Sequence, residues 1–370
     1  MRNTLMMLMS IVAAVVFPSL LPAAGPPVVR SAAPARDLDA LFQSTDGWIG
    51  ADGAYSVAVS PKRTLWLFSD TWVGKIRDGR RTDATMVNNS VGVQDGPSAR
   101  LAYTIRRSAD RKPVALFVPA DGRGWFWPLA GTADGHRLSV FFRQVEKTQG
   151  TGAFAFRSIG LWLGTVPDAE RPPESWGLEQ VKSPNAIFSA ERTLFWGTAV
   201  LRVGNDLYVY GADERPAKPF PDRHMVVARL PAASVADFAA WRYFREGRWD
   251  KDFRSAGHLA DGMAAEYSVT PFRGGYLAVY TELGLSPRIM GRTADHPWGP
   301  WSAPALLYEC PEMGRDKNLF CYAAKAHPGL SSNREIVISY VVNAFDFWQV
   351  ARPAELYWPR FVRVTLDRPN

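Results

Sequence analysis

The sequence predicts an all-β chain folded as a five-bladed β-propeller of four-stranded antiparallel blades. Three observations carry that expectation. A hairpin pattern recurs five times at a spacing of about 65 to 70 residues, too long a period for a solenoid coil. The composition sets 14 Trp, 12 Tyr and 20 Phe beside 30 Gly and 28 Pro, a mixture that suits strands and tight turns and disfavours long helices. Hydrophobic residues make up 47% and charged residues 21% of the 370, so there is apolar side chain enough for a large core. Sheets set radially around an axis bury both faces against their neighbours and leave only short edges. A pair of β-sandwiches is the alternative, but it would require no period.

The chain opens on Arg2 and an apolar run over residues 5–17, which Pro18 and Pro22 interrupt. The run is too short to span a bilayer and matches the core of a signal peptide. The protein is therefore expected to be secreted or periplasmic, without a stable membrane span after cleavage; an uncleaved anchor on a Pro-rich linker is the alternative. Ala33-Pro34-Ala35 and Ala23-Ala24-Gly25 are the candidate cleavage sites, and no Cys follows the run to carry a lipid. Residues 1–36 are read as signal and Pro/Ala-rich leader, and residues 37–370 as one propeller domain.

The hairpins follow in order. The first pairs residues 55–59 with 65–68, and the second pairs 125–127 with 138–142 across Asp134-Gly135. The third pairs 196–201 with 207–210 across Gly204-Asn205-Asp206, and the fourth 267–269 with 276–280 across Arg273-Gly274-Gly275. The fifth pairs 322–324 with 336–340. Runs rich in β-branched and aromatic residues around short polar turns read as hairpins. A further strand is expected after each, at 90–93, 161–166, 225–230, 289–292 and 361–366, and a short helical insertion at 233–245. Cys310 and Cys321 are the two cysteines. Their close spacing in an exported chain reads as a disulfide, with two free thiols as the alternative.

The net charge of +7 would permit a nucleic-acid partner, but the basic residues are scattered and no run exceeds two, so none is expected. A monomer is expected. There is no Gly-x-Ser-x-Gly elbow, no His-Glu-x-x-His, no phosphate-binding Gly-rich Lys loop and no Rossmann fingerprint. No cofactor or metal is expected; calcium in the funnel stays open on the carboxylate count alone, because no EF-hand spacing supports it.

In a propeller, residues just before the first strand and just after the second strand of each blade converge on a central funnel. That rule gathers Asp52 and Asp70 from blade one, Asp213 from blade three, and Glu266 and Glu282 from blade four. Blade five adds Lys325, His327 and Asn343, blade two adds Trp125 and Trp127, and blade three adds Trp196. Glycoside hydrolysis needs two carboxyl groups beside the scissile bond, one protonated and one ionised, and clustered carboxylates raise one another's pKa. Trp faces stack on sugar rings, and Lys325 with His327 would hold hydroxyls or an anionic group. Asp52, Asp70, Glu266 and His327 are expected in one pocket.

Several motifs also resemble a known family. Trp48-Ile49-Gly50-Ala51-Asp52-Gly53-Ala54-Tyr55-Ser56 and Leu65-Trp66-Leu67-Phe68-Ser69-Asp70-Thr71-Trp72 look like the opening of a bacterial family of secreted five-bladed propellers. Asn88-Asn89-Ser90, Tyr208-Val209-Tyr210-Gly211, Ala324-Lys325-Ala326-His327-Pro328 and Tyr357-Trp358-Pro359-Arg360-Phe361 are similar to its later motifs, so the likeness spans nearly all of the mature chain. That family, long classed as a domain of unknown function, includes endo-acting D-arabinofuranosidases. The resemblance brings Asn89 into the substrate-binding set. The chain is more distantly similar to arabinanase- and invertase-like propellers, which use two Asp and a Glu, but it lacks the invertase Arg-Asp-Pro motif. The expected function is a secreted glycoside hydrolase acting on a furanose-containing polysaccharide, such as the D-arabinan of a cell envelope. Asp52 would be base or nucleophile, Asp70 its neighbour and tuner (those two exchangeable), and Glu266 the general acid, with Asp213 next in line. The alternative is a non-catalytic carbohydrate-binding propeller.

Overall fold

Strands that meet the core on both faces need apolar residues at every position, whereas strands with one wet face alternate. The segment Leu65-Trp66-Leu67-Phe68 is of the first kind. All four side chains are buried, and successive residues enter different clusters. Leu65 and Leu67 belong to the apolar cluster that contains Phe126, Phe142 and Val209, while Trp66 and Phe68 belong to the one that contains Ile338 and Phe361. The sheet carrying them is thus clad on both sides.

The computed structural model describes residues 23–367 apart from 151, 153 and 352. The apolar run over residues 5–17, read from the sequence as a signal peptide core, lies outside the described residues. Five antiparallel sheets hold most of the strands, and nearly all of the chain's regular structure is β. Sheet I contains Tyr55–Ala58, Arg63–Phe68, Ser90–Asp95 and Ala102–Thr104. Sheet II contains Trp125–Asp134, Arg137–Lys147, Phe156–Val166 and Glu179–Lys182. Sheet III is built on Thr193–Val203, Asp206–Arg215 and Asp222–Pro231, and extends to six strands. Sheet IV contains Tyr267–Phe272, Gly275–Thr281, Arg288–Ala294 and Ala305–Glu309. Sheet V contains Leu319–Ala326, Glu335–Ala344, Pro359–Asp367 and Val28–Pro34.

The expected hairpins and the strand after each one are present. Arg273 and Gly274 link the first hairpin of sheet IV with φ of 46° and 76°, the paired positive values of a tight two-residue turn. The first strands of the five sheets touch in succession, I on II, II on III, III on IV and IV on V. Ser56 and His327, hydrogen bonded at 2.8 Å, then join sheet I to sheet V.

Four features depart from expectation. Val28–Pro34 pairs with Pro359–Asp367, so the domain begins before residue 37, and cleavage at Ala33-Pro34-Ala35 would sever its first strand. Where a helix was expected at 233–245 there is one 3-10 turn, Ala232–Ser234, and then the strand Arg242–Arg245. A separate sheet, Asp46–Ala51, Thr71–Arg77 and Arg80–Val87, is inserted around sheet I. Finally, Cys310 and Cys321 are buried free thiols rather than a disulfide. They sit in the apolar cluster shared by sheets IV and V, where burial and the neighbouring thiol push the Cys310 pKa up and keep it protonated. No helix among the described residues is long and apolar enough to cross a membrane.

Candidate active site

Gly53 has φ of +82°, and a Cβ there would lie 3.0 Å from the backbone nitrogen of Ser69. Glycine therefore allows two chain segments to close on each other. The Asp52 amide donates to the Asp70 carbonyl at 3.2 Å, and the Ser69 amide donates to the Asp52 carbonyl at 3.1 Å. Two carboxylates eighteen residues apart are brought side by side. Glu266 comes from the next-to-last sheet, immediately ahead of its first strand.

All three acids line one cleft of about 620 Å3, together with Trp125, Trp127 and Asn343. That is within the ordinary size of a small-ligand site. Asp52 Oδ2 accepts the hydroxyls of Tyr322 at 2.6 Å and Tyr357 at 2.9 Å, while its Oδ1 is shut off from solvent without a partner. Burial, and then the negative charges of Asp70 and Glu266, push its carboxyl up to about 8 despite the tyrosine donors. The Asp70 carboxyl is raised by burial to about 6, against hydrogen bonds from Trp127 Nε1 at 2.9 Å and Asn88 Nδ2 at 3.3 Å. Glu266 stands differently, because the Lys325 ammonium reaches its Oε2 at 2.7 Å. Lys325 is buried, donates also to the Ala323 carbonyl, and lies 4.3 Å from the Tyr55 ring centroid. Burial lowers its pKa, and the Glu266 charge opposes that.

The backbone around these acids is strained. Ala54, Ala323 and Tyr357 have φ of 51°, 59° and 67°, a region that costs a non-glycine residue about 1 kcal/mol or more. Ala323 lies in a bulge between Tyr322 and Lys325, which sends Tyr322 to Asp52 and Lys325 to Glu266. The segment leading into Tyr357 is held by Arg81, a buried guanidinium that donates to the carbonyls of Ile49, Val350, Pro353 and Leu356.

Other expected site residues are placed elsewhere. His327 is buried with Ser56 on one ring nitrogen and Ser339 on the other, against the Trp66 ring. Burial, then the Lys325 charge, lowers its pKa to about 3, so it is a neutral packing residue outside the cleft. Asp213 is spent on Arg192, Arg215 and His258; these hold its carboxyl well below the ordinary range even though burial alone would raise it. Trp196 is fully buried, with its indole nitrogen on the Asn185 carbonyl, and offers no face to a sugar. Asn89 binds the backbone of Phe117 and Phe126, which makes it a structural clip. Lys325 supports Glu266 from behind and does not line the cleft. Among the described residues no group of three or more His, Cys, Asp or Glu is placed to hold a metal ion.

Trp127 lines the cleft as expected, whereas Tyr322, Tyr357 and Arg143 line it and were not anticipated as site residues. A lone tyrosine or arginine such as Tyr322 or Arg143 within a strand carries no local signal; the bulge and the register create its role.

The fold is similar to that of a "putative hydrolase from Bacteroides ovatus ATCC 8483", at 20% identity over 90% of each chain with a TM-score of 0.72. A xylan beta-1,4-xylosidase from Bacillus halodurans C-125 aligns at 10% identity over 88% of this chain and 53% of its own, with a TM-score of 0.49. A GH43 beta-xylosidase/alpha-arabinofuranosidase from a compost microbial metagenome aligns at 12% identity over 93% and 96%, with a TM-score of 0.46. No curated protein matches the sequence. The family described as "Domain of unknown function (DUF5005)" matches residues 35–366, almost the whole described chain, and this protein belongs to that family.

Proposed function

We propose that this chain is a secreted glycoside hydrolase that cleaves a furanose-containing, arabinan-like polysaccharide, such as a cell-envelope D-arabinan. We read its five sheets as the blades of a single propeller with the cleft as its funnel. The observation that carries the reading is the gathering of Asp52, Asp70 and Glu266 in one cleft beside Trp125 and Trp127. Three carboxylates repel one another, which is costly for a surface that only binds sugar and useful for one that must keep a carboxyl protonated.

The surroundings divide the roles, and they invert the order expected from sequence. Asp52 touches no cation, lies beside Asp70 and holds its proton at neutral pH. Glu266 is ion-paired with Lys325 and is the charged member. Asp52 is then the general acid, giving its proton to the glycosidic oxygen as the C–O bond breaks. Glu266 is the base or nucleophile on the other side of the sugar, and Asp70 sustains the Asp52 pKa. Incubating the mature protein with a panel of furanose polysaccharides, with chromatography of the soluble products, tests this. Oligosaccharides should appear from an arabinan; polysaccharide that is bound but uncut would favour a carbohydrate-binding protein.

A further inference from the structure

The buried guanidinium groups of Arg81 and Arg292 spend nearly all their donors on the protein. Arg81 donates to four backbone carbonyls, and Arg292 donates to Tyr280, Ser302 and Asp261. Arg143, half-buried, is engaged less completely. It projects from the second strand of sheet II, opposite Trp127 in register, and lines the cleft. Its Nε donates to the Ser158 hydroxyl and its guanidinium carbon lies 4.9 Å from the Phe195 ring centroid. Among the described residues its remaining donors have no hydrogen-bond partner, and it makes no ion pair. Glu214, the first counter-charge acting on it, is spent at 2.9 Å on Arg223, and Glu266, the second, is paired at 2.7 Å with Lys325. Burial therefore works against the Arg143 charge. Lys147, on the same strand, and Arg223 also line the cleft, so cations stand along it as well as the acids.

A half-buried guanidinium on a cleft wall, with terminal donors that no protein group takes, keeps those donors open to a ligand. Neutral sugar hydroxyls would not neutralise it. A guanidinium fork with free donors matches a planar or tetrahedral oxyanion held through two parallel hydrogen bonds. We propose that Arg143 is the anchor of an anion subsite, and that the glycan cut in this cleft carries an acidic group, a carboxylate or a phosphate ester, near the scissile bond. This rests on the cleft being the substrate site. It also moves the anion-holding role expected of Lys325 and His327 to a residue that lines the cleft.

Calorimetric titration with inorganic phosphate, D-glucuronate and D-arabinose tests it without reference to hydrolysis. At low ionic strength one of the two anions should bind at least about tenfold more tightly than arabinose, the stronger one indicating which acidic group the site takes, and salt should weaken it. Arg143→Met should abolish the preference while the folded protein persists by circular dichroism. Arg143→Lys, which keeps the charge but not the fork, should retain a weakened preference and serves if the Met variant does not fold. Equal binding of arabinose and both anions, or an anion preference surviving in Arg143→Met, overturns the proposal. Arabinan hydrolysis without any anion binding would refute this subsite and leave the hydrolase reading standing.

Discussion

Replacing Asp52 with asparagine should stabilise the fold while abolishing hydrolysis, and the gain should grow with pH. The Asp52 carboxyl titrates at about 8 in the folded chain against an ordinary 3.8, because burial, Asp70 and Glu266 all disfavour its charge. Between those values the folded state keeps a proton that the unfolded state releases, so stability falls as the pH rises through the window. Each pKa unit is worth about 1.4 kcal/mol, which caps the loss between about pH 5 and about pH 8 near 4 kcal/mol. Partial exposure and joint titration with Asp70 reduce this, and about 2 kcal/mol is the expected advantage of the variant at the upper pH. An amide oxygen still accepts the Tyr322 and Tyr357 hydroxyls, so the geometry survives. Urea unfolding of both proteins at the two pH values, followed by Trp fluorescence, measures the difference. If the two stability curves run parallel with pH, the proton is not on Asp52 and the assignment of the acid fails.

Three further outcomes follow from the same structure. Asp70→Asn removes the charge that helps hold the Asp52 proton, so the alkaline limb of the pH–rate profile should move to lower pH; an unmoved limb would separate the two carboxyls. Native protein should resist a thiol reagent and release two thiols per chain on unfolding without reductant, since Cys310 and Cys321 are buried and unbonded; finding none would restore the disulfide. A chain beginning at Asp37 should lose about 3 kcal/mol or more relative to one beginning before Val28, because the last sheet forfeits backbone hydrogen bonds worth about 1 kcal/mol each. Equal stabilities would mean that the first strand is dispensable.

Much of the architecture was legible because both of its signals are local. Aromatic and β-branched runs on either side of turns such as Arg273-Gly274 located each hairpin and the strand after it. Val28–Pro34 escaped notice because it is mostly exposed and Ala- and Pro-rich; it is a strand because the edge of Pro359–Asp367 needs a partner, which no local pattern announces. The funnel rule found Asp52, Asp70 and Glu266 because their positions relative to strand ends place them. The same rule could not separate them from Asp213, whose charge is consumed by the nearby Arg215 and by Arg192 and His258, both distant in sequence. Residue type misled at Trp196 and His327, where the chain uses an indole and an imidazole for packing. The division of protons between Asp52 and Glu266 turns on Lys325, which reaches Glu266 through a bulge that is not visible in sequence.

The most direct test of the hydrolase account is the rate of oligosaccharide release from a polysaccharide the wild-type protein binds, compared with the rate of Glu266→Gln on the same material. With its ionised carboxylate replaced by an amide, the variant should still bind and should lose about a hundredfold or more in rate. Release at the wild-type rate by Glu266→Gln, or binding by the wild type with no release at all, would contradict it.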